Sequence, residues 1–476
     1  MSRTVFSASD AEMAMEATAI AHTALGDLRG LRGEGYASFR AVPYAAPPVG
    51  ASRFAPPQPA PSWTGLRDAT RHGPIAPQGR SRLAAAMGDF ARPQDEDCLT
   101  LTISTPAADD DARPVMVFLH GGAYSSGAGS LDWYDGAVLA RDQGIVVVGV
   151  NYRLGALGWL VHEGVSEGNL GLQDQVAALR WVRDQIVAFG GDPAQVTVAG
   201  QSAGAGSIVR LLTEPDAKAL FRRAILQSGG FSRPPATREV AAKTGAEFVR
   251  LLGEDPRTAP TERLIEAQGE FARGRARFAE TTPPFVPVSD APNRPDAAAG
   301  LDVMIGVTRE EMHAFFAANP EMQDPPPDAV AAKFAELRAD KERYRVRRPG
   351  GSAMDLIADL MSEHVFIRPT FQAAGRMAAA GAQVFAYRFD WAPPGSRFKA
   401  GHCIELPFVF GTLDAWPGAG MLEGGDPRQM SALSTTMRRL WSGFVRDGDP
   451  GMGWPLYDPR RRATMVFGDV VGVMGT

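Results

Sequence analysis

Ser202 is the residue of this sequence whose surroundings most clearly indicate chemistry. It lies in the motif Gly-Gln-Ser-Ala-Gly at positions 200–204, and such a G-x-S-x-G pattern presents a nucleophilic serine when a strand precedes it and a helix follows. The apolar run Val196–Ala199 and the helix-like stretch Ala203–Leu212 supply that context. The spacing therefore predicts that Ser202 occupies a sharp turn, where a helix N-terminus favours negative charge near its hydroxyl.

A serine hydroxyl needs a general base, and a third group must orient that base. In hydrolases with this strand–turn–helix unit the chain order is serine, acid, histidine. Three histidines follow Ser202 in the sequence: His313, His364 and His402. His364 falls in a segment with helical spacing, and His313 is too close in sequence to the candidate acids to face them. We therefore predict that His402, in a loop after the apolar run Val384–Phe389, is the base.

The acid is expected at the end of the strand that precedes the histidine's strand. Two carboxylates, Glu310 and Glu311, follow the apolar run Val303–Val307. The pattern alone leaves both of them as candidates, and a carboxylate in this position can also be a simple surface charge.

The segment His120–Ala123 follows another predicted strand and resembles the H-G-G-G loops that bind an oxyanion. Its third small residue is alanine, which keeps its backbone N–H group. We predict that the oxyanion donors are the N–H groups of Gly122, Ala123 and Ala203. His120 precedes the serine and is predicted to be structural.

Short apolar runs alternate with helical patterns along the chain, which indicates β-α-β units and an α/β fold with a mostly parallel central sheet and helices on both faces. We predict one domain over residues 1–476. Residues 231–300 and 312–380 fit the alternation less well and are predicted to be insertions that shape the entrance of the site. The predicted strands are Val115–Leu119, Ile145–Val150, Val196–Ala199, Ala224–Leu226, Val303–Val307 and Val384–Phe389.

Composition narrows the class of protein. The net charge of −5 gives no basic footprint for nucleic acid. Two cysteines, Cys98 and Cys403, exclude a disulfide framework and favour a reducing compartment. The N-terminus has a lone Arg3, and its apolar stretch Ala11–Leu25 is interrupted by Glu12, Glu16 and His22, so it does not look like a secretion signal. No stretch is as long and apolar as a membrane span. We expect a cytoplasmic protein without membrane contact; the sequence does not determine the oligomeric state, and a monomer is favoured.

An ordered series of motifs along nearly the whole chain resembles the type-B carboxylesterases, which include bacterial para-nitrobenzyl esterases. The motifs are Phe39–Gly50, Arg53–Phe54, Glu96–Leu99, His120–Ala123, Asn151–Gly155, Gly168–Gln175, Phe189–Pro193, Gly200–Gly204, Gln227–Gly229, Gly401–His402 and Glu405–Gly411. The resemblance implies an α/β-hydrolase fold and a serine esterase. It places the nucleophile on Ser202, the histidine on His402 and the acid on Glu311, and it implies a structural salt bridge between Glu96 and Arg153.

This sequence departs from the family pattern at four positions. Met312 replaces the usual glycine after the acid. Ala76 stands where secreted members have the disulfide partner of Cys98, and Gln201 stands where many members have glutamate, which disfavours a cationic substrate. Cys403 directly follows the histidine and is expected to be a packed residue rather than a reactive thiol.

We expect from these observations an enzyme that hydrolyses small-molecule carboxylic esters through an acyl-enzyme, without a metal or cofactor. A lipase, an amidase and a hydrolase of xenobiotic esters would use the same triad and stay as alternatives. A non-catalytic binding protein of the same fold is disfavoured because the serine, the histidine and the oxyanion loop are all present. Tyr124, Trp159, Phe315 and Phe316 are candidates for lining the site, although aromatic residues are more often part of the core.

Overall fold

The computed structural model describes residues 17–475; Arg3, Glu12 and Glu16, on which the expected absence of a secretion signal depends, lie outside this range. No helix in the described range is long and apolar enough to cross a membrane. Within residues 17–475, thirteen strands form one mixed sheet and two form a small hairpin. The strands are β1 (Ala17–Thr23), β2 (Gly26–Gly33), β3 (Tyr36–Pro43), β4 (Leu66–Asp68), β5 (Thr100–Thr105), β6 (Arg113–Leu119), β7 (Val146–Val150), β8 (Val161–His162), β9 (Ser166–Glu167), β10 (Gly191–Gln201), β11 (Arg223–Gln227), β12 (Asp302–Thr308), β13 (Gln383–Phe389), β14 (Thr464–Phe467) and β15 (Val471–Met474).

The centre of the large sheet is parallel. Its order is β1-β2-β3-β5-β7-β6-β10-β11-β12-β13-β14-β15, with β4 paired to β2. The strands from β7 to β14 in that order pair in parallel, whereas β1, β2, β3 and β5 on one side and β15 on the other pair antiparallel. The mostly parallel α/β sheet predicted from the sequence is therefore confirmed, with antiparallel edges added.

Alternate residues of the central strands enter two different cores. Val115 and Val117 of β6 pack in one hydrophobic cluster, whereas Met116 and Phe118 pack in another. Because successive side chains of a strand point to opposite faces, a strand that is apolar at every position must be covered on both sides. This explains why the six central strands appear in the sequence as continuous apolar runs.

The outer strands were not predicted from the sequence. Strand β2 has exposed positions and contains Asp27, Arg29 and Arg32, because a strand with one solvated face does not need apolar residues throughout. Strands β5 and β14 are buried throughout, but β5 has threonine or serine at four of its six positions and β14 has only four residues. The six predicted strands all occur, and none of their ends differs from the predicted end by more than five residues.

Helices cover both faces of the sheet and also form the regions at 231–300 and 312–380. They are α1 (Ala84–Met87), α2 (Ala137–Gln143), α3 (Gly155–Trp159), α4 (Leu170–Gln185), α5 (Ala203–Leu211), α6 (Pro215–Lys218), α7 (Arg238–Leu252), α8 (Thr261–Gly274), α9 (His313–Phe316), α10 (Pro327–Glu336), α11 (Lys341–Arg347), α12 (Ala353–Met361), α13 (Arg368–Ala379), α14 (Leu406–Phe410) and α15 (Pro427–Asp447). Helices α4 and α5 pack in the first core, and α2 and α15 pack in the second.

The helix predicted up to Phe189 is α4 followed by a 3₁₀ turn, and it ends at Gly190, whose φ of 72° is left-handed as expected for a C-terminal glycine. A π-helical turn at Ser362–Ile367 joins α12 to α13. The division into one domain with two insertions stays a prediction.

Candidate active site

Ser202 occupies the sharp turn between β10 and α5. Its backbone has φ 55° and ψ −119°, a conformation that side-chain-bearing residues rarely adopt outside functional sites. A Cβ atom at Gly200 would lie 2.6 Å from the carbonyl carbon of Gly204, and one at Gly204 would collide with the carbonyl oxygen of Leu119. Both glycines are therefore required for the turn to fit between β6 and α5.

Glu311 and His402 are adjacent and completely buried. The Nδ1 atom of His402 lies 2.5 Å from Oε2 of Glu311, and the backbone N–H of His402 donates to the carbonyl oxygen of Glu311 at 3.1 Å. Glu311 follows β12 and His402 follows β13, and these strands are neighbours in the parallel sheet. Residues 91 positions apart thus meet because both follow the C-terminal ends of paired strands.

Two further groups bind the other carboxylate oxygen of Glu311. The hydroxyl of Ser228 donates to Oε1 at 2.6 Å, and the backbone N–H of Thr308 donates to it at 2.9 Å. Ser228 lies in the family motif Gln227–Gly229, and no role was predicted for it from the sequence. The signal was available in the strand order, because Ser228 directly follows β11, which lies between the strands of Ser202 and Glu311.

Glu310 has different surroundings, although it is the next residue to Glu311. Its carboxylate contacts the guanidinium groups of Arg309 and Arg348 at 3.2 and 3.1 Å and accepts from the backbone N–H of Ala400 at 3.1 Å. Burial raises the pKa of Glu310, but the two arginines outweigh burial and the net pKa is lowered. Glu310 is thus an ion-paired carboxylate that makes no contact with His402.

The Nε2 atom of His402 contacts the side-chain amide of Gln201 rather than Ser202. When the Nδ1–H group donates to Glu311, Nε2 carries a lone pair, and the amide nitrogen of Gln201 lies 3.2 Å from it. The hydroxyl of Ser202 makes no hydrogen bond to His402 in the described structure. Catalytic hydrogen bonds in ligand-free enzymes are often long and tighten only when substrate binds.

Aromatic rings enclose the other side of His402. The ring centroids of Phe366 and Phe315 lie 4.9 and 5.3 Å from that of His402. Phe366 belongs to the π-helical turn, and such turns occur frequently at functional sites. In the same turn, the hydroxyl of Ser362 accepts from the backbone N–H of Met312 at 2.8 Å. Met312, which replaces the family's glycine, is fully buried, and this hydrogen bond fixes its backbone.

Two of the three predicted oxyanion donors, Ala123 and Ala203, line the same cavity as Ser202, and Gly122 directly precedes Ala123. Gly122 and Ala123 have left-handed backbones, with φ 120° and 54°, and no acceptor among residues 17–475 binds their N–H groups. Ala203 is the first residue of α5, where N–H groups have no partner within the helix. The loop is held by the N–H groups of Ser125 and Ser126, which both donate to the carbonyl of Gly122 at 3.0 Å.

The remaining histidines considered above have other partners. His120 is buried and stacked on Tyr152 with ring centroids 4.3 Å apart, and burial lowers its pKa to about 4. The Nε2 atom of His313 lies 3.1 Å from a carboxylate oxygen of Asp355. His364 lies beside Arg368. None of the three contacts Glu311.

The predicted salt bridge between Glu96 and Arg153 is wrong. Arg153 instead binds both carboxylate oxygens of Asp174 at 2.7 and 2.8 Å, and Glu96 binds Arg53. Asp174 is on the inner face of α4 and is fully buried, so it can offer both oxygens to the planar guanidinium group, which is the preferred geometry of such a pair.

Both cysteines are unpaired and buried. Burial, followed by the charge of Glu405, raises the pKa of the Cys403 thiol well above its usual range. A thiol held in its neutral form is a poor nucleophile, which agrees with the expectation that Cys403 is a packed residue.

A cavity lies above Ser202. Tyr124 and Phe315 line this cavity, and Trp159 lines the wider opening outside it. Phe316 is buried in the hydrophobic cluster of α10 and α12 and does not line the cavity. Three of the four aromatic candidates therefore lie at the site or its entrance.

This geometry combines an elbow serine, a buried carboxylate–histidine pair and unpaired backbone donors, which are the parts of a serine hydrolase of the α/β-hydrolase class. The model of the carboxylesterase family matches residues 17–469. The chain is 38% identical to the phenmedipham hydrolase of Pseudarthrobacter oxydans, covering 94% of this chain and 95% of that protein. It is 37% identical to the para-nitrobenzyl esterase of Bacillus subtilis (strain 168), covering 94% of each.

A solved structure agrees with these sequence relatives. The carboxylesterase of Geobacillus stearothermophilus at pH 6.2 superposes with a TM-score of 0.84 at 34% identity, covering 96% of this chain and 97% of that one. The chain therefore belongs to the carboxylesterase family. It has the α/β-hydrolase fold and is a carboxylic-ester hydrolase, similar to the para-nitrobenzyl esterases.

Proposed function

We propose that Ser202, His402 and Glu311 form the catalytic triad of this esterase. The single observation that supports this best is the buried contact between Glu311 and His402. Glu311 binds the imidazole at Nδ1, which leaves the lone pair of Nε2 to accept a proton. Glu311 would hold this tautomer and stabilise the imidazolium that forms during the reaction.

In the proposed reaction the Oγ atom of Ser202 bonds to the ester carbonyl carbon while its proton passes to Nε2 of His402. The carbonyl oxygen becomes an oxyanion that accepts from the N–H groups of Gly122, Ala123 and Ala203. The bond to the alcohol then breaks, and the alcohol leaves with the proton from His402. A water molecule, deprotonated by His402, releases the acid from the acyl-enzyme and restores the serine hydroxyl.

The chemistry uses only side chains and backbone groups of this chain and requires no metal or cofactor. We further propose a single domain that acts as a monomer in the cytoplasm on small ester molecules, with no nucleic-acid or membrane partner. The two unpaired cysteines support a reducing compartment.

Replacement of Ser202 tests the proposal directly. Ser202→Ala should lower the hydrolysis of a 4-nitrophenyl ester to the background of the oxyanion site, a loss of roughly 10⁴-fold or more. It should also prevent covalent labelling by an organophosphate, which mass spectrometry of the intact protein would detect. Full activity in this variant would exclude the acyl-enzyme mechanism at Ser202.

A panel of acyl donors would decide among the alternatives that share this triad. Esters, an amide and a long-chain glyceride should be compared by kcat/KM on the same preparation. We expect esters of small acids to be preferred, and a higher value for the amide or the glyceride would assign the enzyme to an amidase or lipase instead.

A further inference from the structure

Three arginines line the cavity above the serine, and within residues 17–475 none of them has a carboxylate partner. They are Arg82, Arg210 and Arg233, and no acidic residue of the described range lines this cavity. Arg210 is buried and Arg233 is half-buried, whereas Arg82, which also lines the wider opening, is exposed. A partly desolvated guanidinium group without a counter-charge is unfavourable unless an anion approaches it, so this argument applies to Arg210 and Arg233.

Arg82 and Arg233 converge on one residue. A guanidinium N–H of Arg82 donates to the carbonyl oxygen of Thr281 at 2.7 Å, and one of Arg233 donates to the Thr281 hydroxyl at 2.6 Å. Two positive charges are therefore held side by side. Burial, followed by the charge of Arg82, lowers the pKa of Arg233 to about 10, so Arg233 stays protonated at neutral pH.

Arg210 lies deeper and is only 7% exposed. Its closest acceptors are the carbonyl oxygens of Ala291 and Pro292 and the side-chain oxygen of Asn293, all at 3.4–3.5 Å. These contacts are long for hydrogen bonds, and they leave the third cation without a close acceptor.

The outer opening of the site is also basic. Five arginines and one glutamate line it: Arg80, Arg82, Arg273, Arg275, Arg277 and Glu280. Arg80 and Arg275 pair with acids outside the opening, and Glu280 lies 3.7 Å from Lys333. A positive entrance on a chain of net charge −5 would concentrate anions at the cleft and raise their rate of association.

We propose that the substrate of this esterase carries a carboxylate group, which binds Arg82 and Arg233 while its ester carbonyl lies at Ser202. A carboxylate fits this pair because each guanidinium presents a planar set of donors that matches two oxygens. The proposal rests on the proposed function, because it takes Ser202 as the reacting group.

Two matched pairs of esters test the proposal. On the acyl side, 4-nitrophenyl hydrogen adipate is compared with 4-nitrophenyl hexanoate; on the alcohol side, 4-(hexanoyloxy)benzoate is compared with phenyl hexanoate. The readout is the ratio of kcat/KM for the charged ester to that for the neutral ester, measured on one preparation. This ratio does not depend on the fraction of folded enzyme.

We expect Arg233→Gln and Arg82→Gln each to lower this ratio about tenfold or more for at least one pair, since hydrogen bonds to charged groups are the stronger ones. Arg233→Lys should keep a higher ratio than Arg233→Gln. In the unmodified enzyme, 0.5 M salt should lower the ratio, because salt screens the attraction between the charges. Arg183→Gln is the control, because Arg183 is exposed on α4 and pairs with Asp184, remote from the cavity lining.

The proposal is overturned if both ratios are the same in the unmodified enzyme and in the Arg82 and Arg233 variants. That outcome differs from failure of the proposed function, in which the neutral esters would be hydrolysed equally by the Ser202→Ala variant.

Discussion

Glu310 and Glu311 show how one residue position changes the chemistry of a carboxylate. Glu311 binds His402, Ser228 and the backbone of Thr308, whereas Glu310 is held by Arg309 and Arg348. The charge of Glu311 therefore lies beside the imidazole, whereas the charge of Glu310 is neutralised by two guanidinium groups. The two residues should therefore respond differently to the same substitution.

Glu311→Gln should lower kcat by about 10³–10⁴-fold, because an amide can stabilise the wrong tautomer of His402 and cannot balance the imidazolium charge. Glu310→Gln is the matched control and should keep kcat within a few-fold, although it loses ion pairs. Steady-state kinetics on a 4-nitrophenyl ester would measure both. A larger loss of kcat in Glu310→Gln than in Glu311→Gln would assign the acid of the triad to Glu310.

Glu405 is a second buried carboxylate near the triad. One of its oxygens accepts from the side-chain amide of Gln227 at 3.1 Å, and the other has no partner among the described residues. Burial, followed by the charge of Glu311, raises its pKa from 4.5 to about 7. In the folded protein Glu405 is therefore neutral at pH values where the unfolded chain would ionise it.

This shift predicts a pH-dependent difference in stability. Because the pKa of Glu405 is higher in the folded protein than in the unfolded chain, its contribution to the free energy of unfolding is fully present below pH 4.5. This contribution is lost as the pH rises through about 7, since ionisation of Glu405 then stabilises the unfolded chain. Glu405→Gln should consequently become more stable relative to the unmodified protein between pH 4.5 and 8, by roughly 3 kcal/mol in the free energy of unfolding. Urea denaturation across this range would measure it, and parallel stability curves would contradict the assigned shift.

At the scale of elements, a buried ion pair holds the start of α4 against the segment after β7. Arg153 binds Asp174 through two N–H groups and also donates to the carbonyl of Ala55 at 2.7 Å. The side chains of the pair are 5% and 0% exposed. Since β7 pairs with β6, whose end carries the oxyanion loop, this pair supports the frame of the site.

Arg153→Met should lower the free energy of unfolding by about 3–5 kcal/mol, because Asp174 would be left as an unpaired buried charge. Arg183→Met, at the exposed end of the same helix, breaks a solvated pair and should cost no more than about 1 kcal/mol. Chemical denaturation of the two variants would provide the comparison. Equal losses of unfolding free energy in the two variants would show that the buried pair stabilises the fold no more than the exposed pair does.

At the scale of the whole molecule, two cores on opposite faces of the sheet enclose the cysteines. Cys98 lies in the first core and is 0% exposed, and Cys403 lies in the second and is 3% exposed. Burial raises the pKa of both thiols. Neither side chain is available to a reagent unless the fold opens.

The folded protein should therefore react slowly with a thiol reagent such as DTNB and should show two reactive thiols in guanidinium chloride. A reducing agent should leave the midpoint of thermal unfolding unchanged. Rapid modification of one thiol in the native state would indicate that the core around Cys403 opens near the active site.

The amino-acid sequence determined six strands of the parallel centre, the sharp turn at Ser202 and the choice of His402 and Glu311, which lie together in the structure. These features depend on local patterns: continuous apolar runs for strands covered on both faces, glycines where a side chain would collide, and the order of motifs along the chain. The outer strands have no such pattern and were missed: β2 and β15 have exposed positions, β5 is rich in threonine and serine, and β14 has only four residues.

The partners of charged groups were decided only by the tertiary structure. Nothing in the local sequence distinguishes Asp174 from Glu96 as the partner of Arg153, or shows that Ser228 would bind Glu311 and that Gln201 would contact His402. The meeting of Arg82 and Arg233 at Thr281 is of the same kind. Such pairings join residues far apart in the chain, and they depend on which side chains the packed strands and helices bring within hydrogen-bond distance.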